Sequence, residues 1–200
     1  IPHLNLIPEA IEHAHVAENV FLIRKDQDLL CAAYLILSAA YGRANIQKSS
    51  DYLELARSIF DKGSILSWQL TNLSWLHNLC QAFKCESSDY YLRLYGELLG
   101  SLDNKCDRAD YFKMLAEKHE EQNNLDSTIY YYRLTIPIYE ELQTKRMLSW
   151  VYVRISKPKY WKITDSGTSS LITEKEVEAN LNKALSLALE AGNIYLIKEV

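Results

Sequence analysis

An all-α fold is predicted by three features of the sequence. A triplet of small and apolar residues recurs at near-constant intervals, apolar stretches of helical length lie between the recurrences, and turn-forming residues are scarce. Hydrophobic residues make up 48% of the 200, against only six glycines and four prolines. That balance suits a folded helical protein and leaves too few turn residues for a sandwich or barrel. The length supports a sizeable core, whether as one globular body or as a run of stacked repeats.

Residues at i, i+4 and i+7 share one face of a 3.6-residue helix. Five triplets fit this spacing: Ala10, Ala14, Ala17; Ser49, Leu53, Ala56; Ser88, Leu92, Tyr95; Thr128, Tyr132, Thr135; and Val177, Leu181, Ala184. Their first members are 39, 39, 40 and 49 residues apart. Between them lie LLCAAYLILSAAY at 29–41, WQLTNLSWLHNLCQAF at 68–83 and ADYFKMLAEKHEEQ at 109–122. Helix-start residues stand before the triplet helices: Ser49-Ser50-Asp51, Ser87-Ser88-Asp89, Asp126-Ser127, and Thr173 with Glu176 as a capping box.

Each unit is therefore expected to be a helix hairpin, its small residues letting the two axes approach so that ridges enter grooves. A hairpin cannot cover its own apolar face, so neighbours must stack. The expected architecture is an α-solenoid, a right-handed superhelix of about five antiparallel hairpins with the first and last truncated. It forms a single helical-repeat domain over 1–200. The 49-residue interval is explained by an inserted loop or small hairpin at 157–174, which carries Pro158, Gly167 and the polar DSGTSS. Because the chain starts at Ile1 and ends at Val200 within a helical pattern, a fragment of a longer protein is expected.

Composition excludes several classes of function. A net charge of -4 gives no global attraction to nucleic acid or an anionic membrane. The longest mostly apolar run, 29–41, has 13 residues and is too short to span a bilayer. Cys31, Cys80, Cys85 and Cys106 form no CxxC pair and have no histidine at zinc-finger spacing, so no metal is expected. Unpaired cysteines among apolar neighbours fit a reducing, cytoplasmic location. The histidines His3, His13, His15, His77 and His119 are scattered. Cys80 and His77 are helical neighbours, but no acid orients them, so interior packing is expected rather than nucleophilic catalysis.

The segment LAEKHEEQNNLDSTIYYYRLT at 115–135 resembles the tetratricopeptide repeat family. Leu115 and Ala116 match its Leu and Gly/Ala positions, Asn123 and Asn124 its turn, Thr128 and Thr135 its small residues, and Tyr132 its aromatic. The segments ALSLALEAGN at 184–193 and AIEHAHVAENVFLIRKD at the start look like second helices of bacterial repeats of this type. Two departures stand out: a period near 39 rather than the family's about 34, and Pro137, which is expected to interrupt a helix. The longer period is similar to that of extended repeats in bacterial regulators and sensors.

What the resemblance implies is binding, without catalysis and without a cofactor, in a concave groove lined by first helices. Groove positions carried over from the motif are Asp110, Lys113, Glu117, Glu120 and Glu121. They are mainly acidic, unlike the Lys/Arg/Asn clamp with which some members hold a C-terminal carboxylate; the plain alternative is a solvated charged face. The implied function is a protein- or peptide-binding scaffold, the helical-repeat portion of a bacterial regulatory protein. The alternative is a domain that senses a ligand or signal peptide and controls an attached effector such as a DNA-binding domain.

A second candidate is the basic stretch 145–162, carrying Lys145, Arg146, Arg154, Lys157, Lys159 and Lys162 with Trp150, Tyr152, Tyr160 and Trp161 interleaved. Cations attract phosphates and aromatics stack bases, so a nucleic-acid patch is chemically open. Against it stands a helix core containing Trp150 and Tyr152, with solvated lysines at the start of the insertion. Within the run Tyr130-Tyr131-Tyr132, successive side chains are about 100° apart and cannot share one face. Tyr132 is expected to be buried with its hydroxyl near a polar partner, leaving Tyr130 and Tyr131 to the next repeat or to solvent.

Overall fold

The computed structural model describes residues 6–42, 45–60, 68–100, 104–157, 172–193 and 197. Among the described residues there are nine α-helices and no strand. The chain divides into two compact units, Ile1–Leu102 and Asp103–Val200. The first unit holds α1 (Leu6–Arg24), α2 (Gln27–Tyr41), α3 (Ile46–Phe60), α4 (Trp68–Ala82) and α5 (Ser88–Leu99). The second holds α6 (Lys105–Glu121), α7 (Leu125–Glu141), α8 (Lys145–Ile155) and α9 (Glu174–Glu190). Of the expected insertion, 158–171 lie outside the described residues; Ile172 is buried with Ile129 and Val177. No described helix is long and apolar enough to cross a membrane.

The repeated spacing marks the packed faces. Ser49, Leu53 and Ala56 are all buried, as are Thr128, Tyr132 and Thr135. Leu92, Tyr95, Val177, Ala184 and Ala14 are buried too, whereas Ala10 is exposed. The same contacts recur between the two helices of different hairpins. Cys31 Sγ donates to the carbonyl of Ala56 (3.5 Å), and Ser149 Oγ, at the equivalent place on α8, donates to that of Ala184 (2.7 Å). Toward the turn, Ser38 and Ser49 donate to each other's carbonyls at 2.8 and 2.6 Å. Thirty-nine residues on, Ser88 O lies 2.9 Å from His77 Nδ1, and Ser88 Oγ lies 3.0 Å from the same nitrogen. Only close helix axes allow a short side chain to reach the partner's backbone, and each such bond spares a buried hydroxyl a penalty of about 1–3 kcal/mol.

Five helix ends share one turn geometry. Lys25, Lys84, Asn123, Gln143 and Gly192 have positive φ, between 51° and 63°. At each, the next residue's amide bonds back five positions: Asp26 to Phe21, Cys85 to Cys80, Asn124 to His119, Thr144 to Tyr139 and Asn193 to Ala188. This is the Schellman motif, in which a left-handed residue satisfies the helix's last carbonyls. Only Gly192 lacks the Cβ that strains this conformation. Replacing exposed Gln143 by glycine is expected to stabilise the protein by about 0.5–1 kcal/mol, the left-handed relief less glycine's added chain entropy. A rise in the urea midpoint at unchanged slope is the check.

Some expected helix signals are displaced. Ser49-Ser50-Asp51 lies inside α3, because Asn45 starts that helix earlier by accepting from the amide of Lys48 (3.0 Å). Asn124, not Asp126-Ser127, caps α7, accepting from the amide of Ser127 (3.3 Å). Thr173 caps α9 as expected, accepting from the amide of Glu176 (3.2 Å). Pro137 does not interrupt α7, which runs through it. Proline's ring lies on the exposed side, while Tyr132, Thr135 and Tyr139 bury the opposite face and hold the helix together across the missing donor.

Candidate functional site

On α6, Asp110, Lys113, Glu117 and Glu120 follow one another at steps of three and four, so they occupy one face; Glu121 lies off it, exposed. Opposite them α8 brings Trp150 and Arg154, one turn apart, and α7 supplies Tyr132 beneath. Arg154 Nη2 lies 2.5 Å from Glu120 Oε2, and its Nε donates to Tyr132 Oη at 3.3 Å. Tyr132 Oη donates to the same Glu120 oxygen at 3.1 Å, which closes a triangle of three groups. The Trp150 ring meets Tyr132 edge to face, with centroids 5.7 Å apart. Two cations lie over it, Arg154 at 5.2 Å and Lys113 at 5.6 Å. Lys113 in turn stands 4.0 Å from Glu117.

Burial governs the electrostatics of this face. It raises the Glu117 carboxyl above the ordinary range against the pull of Lys113 and Arg154, and Glu120 and Glu121 push the same way as burial. Asp110 is raised by burial, opposed by Lys113 and reinforced by Asp107. The Tyr139 hydroxyl is pushed up by burial and then by Asp110 and Glu117; it is buried and has no hydrogen-bond partner among the described residues. Carboxyls raised in the folded state bind protons more tightly there than in the unfolded chain. Their stabilising contribution is therefore complete at acid pH, below the unfolded value, and is lost as pH rises through the raised one. Glu117→Gln is thus expected to raise stability at pH 7, with the advantage vanishing toward pH 4, as read from urea midpoints across that range.

The two candidate groups of residues meet at one ion pair, since Arg154 of the basic stretch is bound to Glu120 of the acidic face. Lys145, at the other end of α8, pairs with Glu190 of α9 at 2.8 Å. Arg146 is exposed and Lys157 half-buried, while Lys159, Lys162, Tyr160 and Trp161 lie outside the described residues. Tyr152 is buried, with Lys183 Nζ over its ring at 4.8 Å. Lys145 and Arg154 are nine residues apart, about 13 Å along the axis, and each faces a carboxylate rather than a shared phosphate track.

The three tyrosines separate onto different faces, Tyr132 and Tyr130 as expected, whereas Tyr131 packs back on the preceding helix α6, its ring meeting those of Phe112 and His119. Tyr132 is fully buried with its hydroxyl on Glu120, Tyr130 is 59% exposed, and Tyr131 stacks on His119 at 5.3 Å. Trp150 and Tyr139 were not among the groove positions taken from the repeat motif. The i,i+4 spacing of Trp150 and Arg154 was a usable local signal; their approach to Lys113 and Glu120, more than thirty residues away, was not.

In the first unit His15, Tyr34, Tyr41 and Tyr52 form an aromatic cluster, with Tyr41 and Tyr52 stacked at 5.7 Å. His15 lies 2.8 Å from Glu18 and 3.2 Å from the Tyr41 hydroxyl. Cys80 and His77 are buried in the interior. Among the described residues no group of three or more His, Cys, Asp or Glu side chains gathers to hold a metal ion. No protein-family model, curated protein or solved structure matches the chain. The fold and its repeated contacts define the chain as an all-helical, repeat-like protein.

Proposed function

We propose that the protein is a tetratricopeptide-like α-solenoid, a right-handed superhelix of stacked hairpins. In this proposal it works as a non-catalytic scaffold for a peptide or protein partner, as the helical-repeat portion of a bacterial regulatory protein. The carrying observation is the α6–α8 face, where Asp110, Lys113 and Glu117 are only half-buried beside Trp150, so they can still meet a partner. Glu120 and Arg154 satisfy each other and position that face rather than contact the partner. The remaining carboxylates favour a cationic segment over a C-terminal carboxylate. A second reading, a small-ligand sensor controlling an attached effector, is favoured by the buried, unpartnered Tyr139 hydroxyl beside Asp110 and Glu117.

Selection of phage-displayed random peptides on the full chain tests the scaffold. Basic sequences are expected, with binding abolished by the pair Asp110→Lys and Glu117→Lys and weakened by Trp150→Ala. Selected peptides indifferent to all three substitutions would remove this face as the binding surface. For the sensor, a small molecule that raises the thermal midpoint of the wild type but not of Tyr139→Phe, while leaving peptide capture unchanged, would favour that role over the scaffold.

A further inference from the structure

The five Schellman turns put five pairs of residues in equivalent places: Phe21 and Asp26, Cys80 and Cys85, His119 and Asn124, Tyr139 and Thr144, Ala188 and Asn193. A side-chain contact across the turn frequently accompanies this motif, and Cys80 and Cys85 make one. Between α4 and α5 both are cysteines, tied by a backbone bond of 2.7 Å from Cys85 N to Cys80 O. Both thiols are free; Cys80 is buried and Cys85 is partly open to solvent. Ser87 Oγ lies 3.8 Å from Cys80 Sγ.

We propose that Cys80 and Cys85 are a redox modification site, at which hydrogen peroxide closes a reversible disulfide across the α4–α5 turn. The accessible Cys85 thiolate attacks one peroxide oxygen, the O–O bond breaks, and the leaving hydroxide takes a proton to become water. The resulting Cys85 sulfenic acid is attacked by the Cys80 sulfur; the S–S bond forms, the S–O bond breaks, and a second water leaves with the Cys80 proton. Two thiols lose two electrons in total, and one peroxide becomes two waters. Burial assigns the order of events: it pushes the Cys80 thiol up to about 11 against the Ser87 hydroxyl, with Cys85 adding to the rise. Cys80 is thus mainly the protonated, resolving partner, and Cys85 meets the oxidant first. The closed bond would clamp Lys84 in its left-handed conformation and hold the ends of α4 and α5 together.

The test is peptide mapping of the full chain after hydrogen peroxide, with alkylation by iodoacetamide in guanidinium before any reductant. Trypsin cuts between the two cysteines, after Lys84, so the disulfide joins peptides 63–84 and 85–93 into one species. The joined species is expected in the wild type and should split into two alkylatable peptides on dithiothreitol treatment. With Cys85→Ser, Cys80 should remain alkylatable after the same exposure. With Cys80→Ser, Cys85 should proceed to sulfinic and sulfonic acid without a link. Unchanged helical circular dichroism in both variants shows that they fold. The proposal is overturned by separate, unlinked peptides in peroxide-treated wild type, or by Cys85 joined instead to the exposed Cys106 of a second chain.

Discussion

Replacing Tyr132 by alanine is expected to destabilise the protein by about 3–5 kcal/mol, the cost of truncating a fully buried aromatic that cannot be refilled by collapse. The ring is 0% exposed, packs edge to face on Trp150 and lies in the same core as Tyr139, Val151 and Ala184. Tyr132→Phe separates the ring from the hydroxyl: it leaves the Arg154–Glu120 pair in place and should cost about 1.5–3 kcal/mol, the worth of hydrogen bonding to charged groups, since the hydroxyl donates to Glu120 and accepts from Arg154. Urea unfolding of both variants checks the ratio. Equal losses for the two would mean that the hydroxyl network, rather than the ring, holds this core.

Arg154→Met is expected to cost about 2–3 kcal/mol, below the 3–5 kcal/mol of a fully buried pair because the Arg154 side chain retains 23% exposure. Most of that loss comes from Glu120, whose side chain is 10% exposed and would keep its charge after losing the Arg154 guanidinium. Adding Glu120→Gln should therefore restore much of the stability, since removing both charges is nearly neutral where removing one is not. A double-mutant cycle measures this coupling. A single-mutant loss below about 0.5 kcal/mol, the scale of an exposed surface pair, would show that solvent already screens the contact.

Much of the fold was legible because its signals are local. The i, i+4, i+7 triplets locate the buried faces of α3, α7 and α9, where a 3.6-residue period leaves few choices. Thr173 could be read as a cap for the same reason, as its hydroxyl reaches an amide three residues on. Caps were misplaced where an asparagine two to four residues earlier competed, as with Asn45 before Ser49 and Asn124 before Asp126; both residue types can cap, and only the backbone decides which does. Pro137 misled because its local penalty was weighed without the packing of Tyr132, Thr135 and Tyr139 that outweighs it. Likewise, nothing in Lys25, Lys84 or Gln143 signals left-handed backbone, a conformation these residues adopt only because the two flanking helices must reverse.

By itself the sequence determined the helical class, the period and the small-residue faces, since each depends on residues within a few turns of one another. Only the tertiary structure decided what those faces carry. It joined Glu120 to Arg154 across 34 positions, merging an acidic and a basic candidate into one neutralised pair. It also brought Lys113 and Arg154 over Trp150 and left the Tyr139 hydroxyl beside Asp110 and Glu117. The physical reason is range. Backbone periodicity is set by neighbouring residues, whereas the partner and ionisation of a charged side chain depend on which distant helix packs against it and how much water that packing removes.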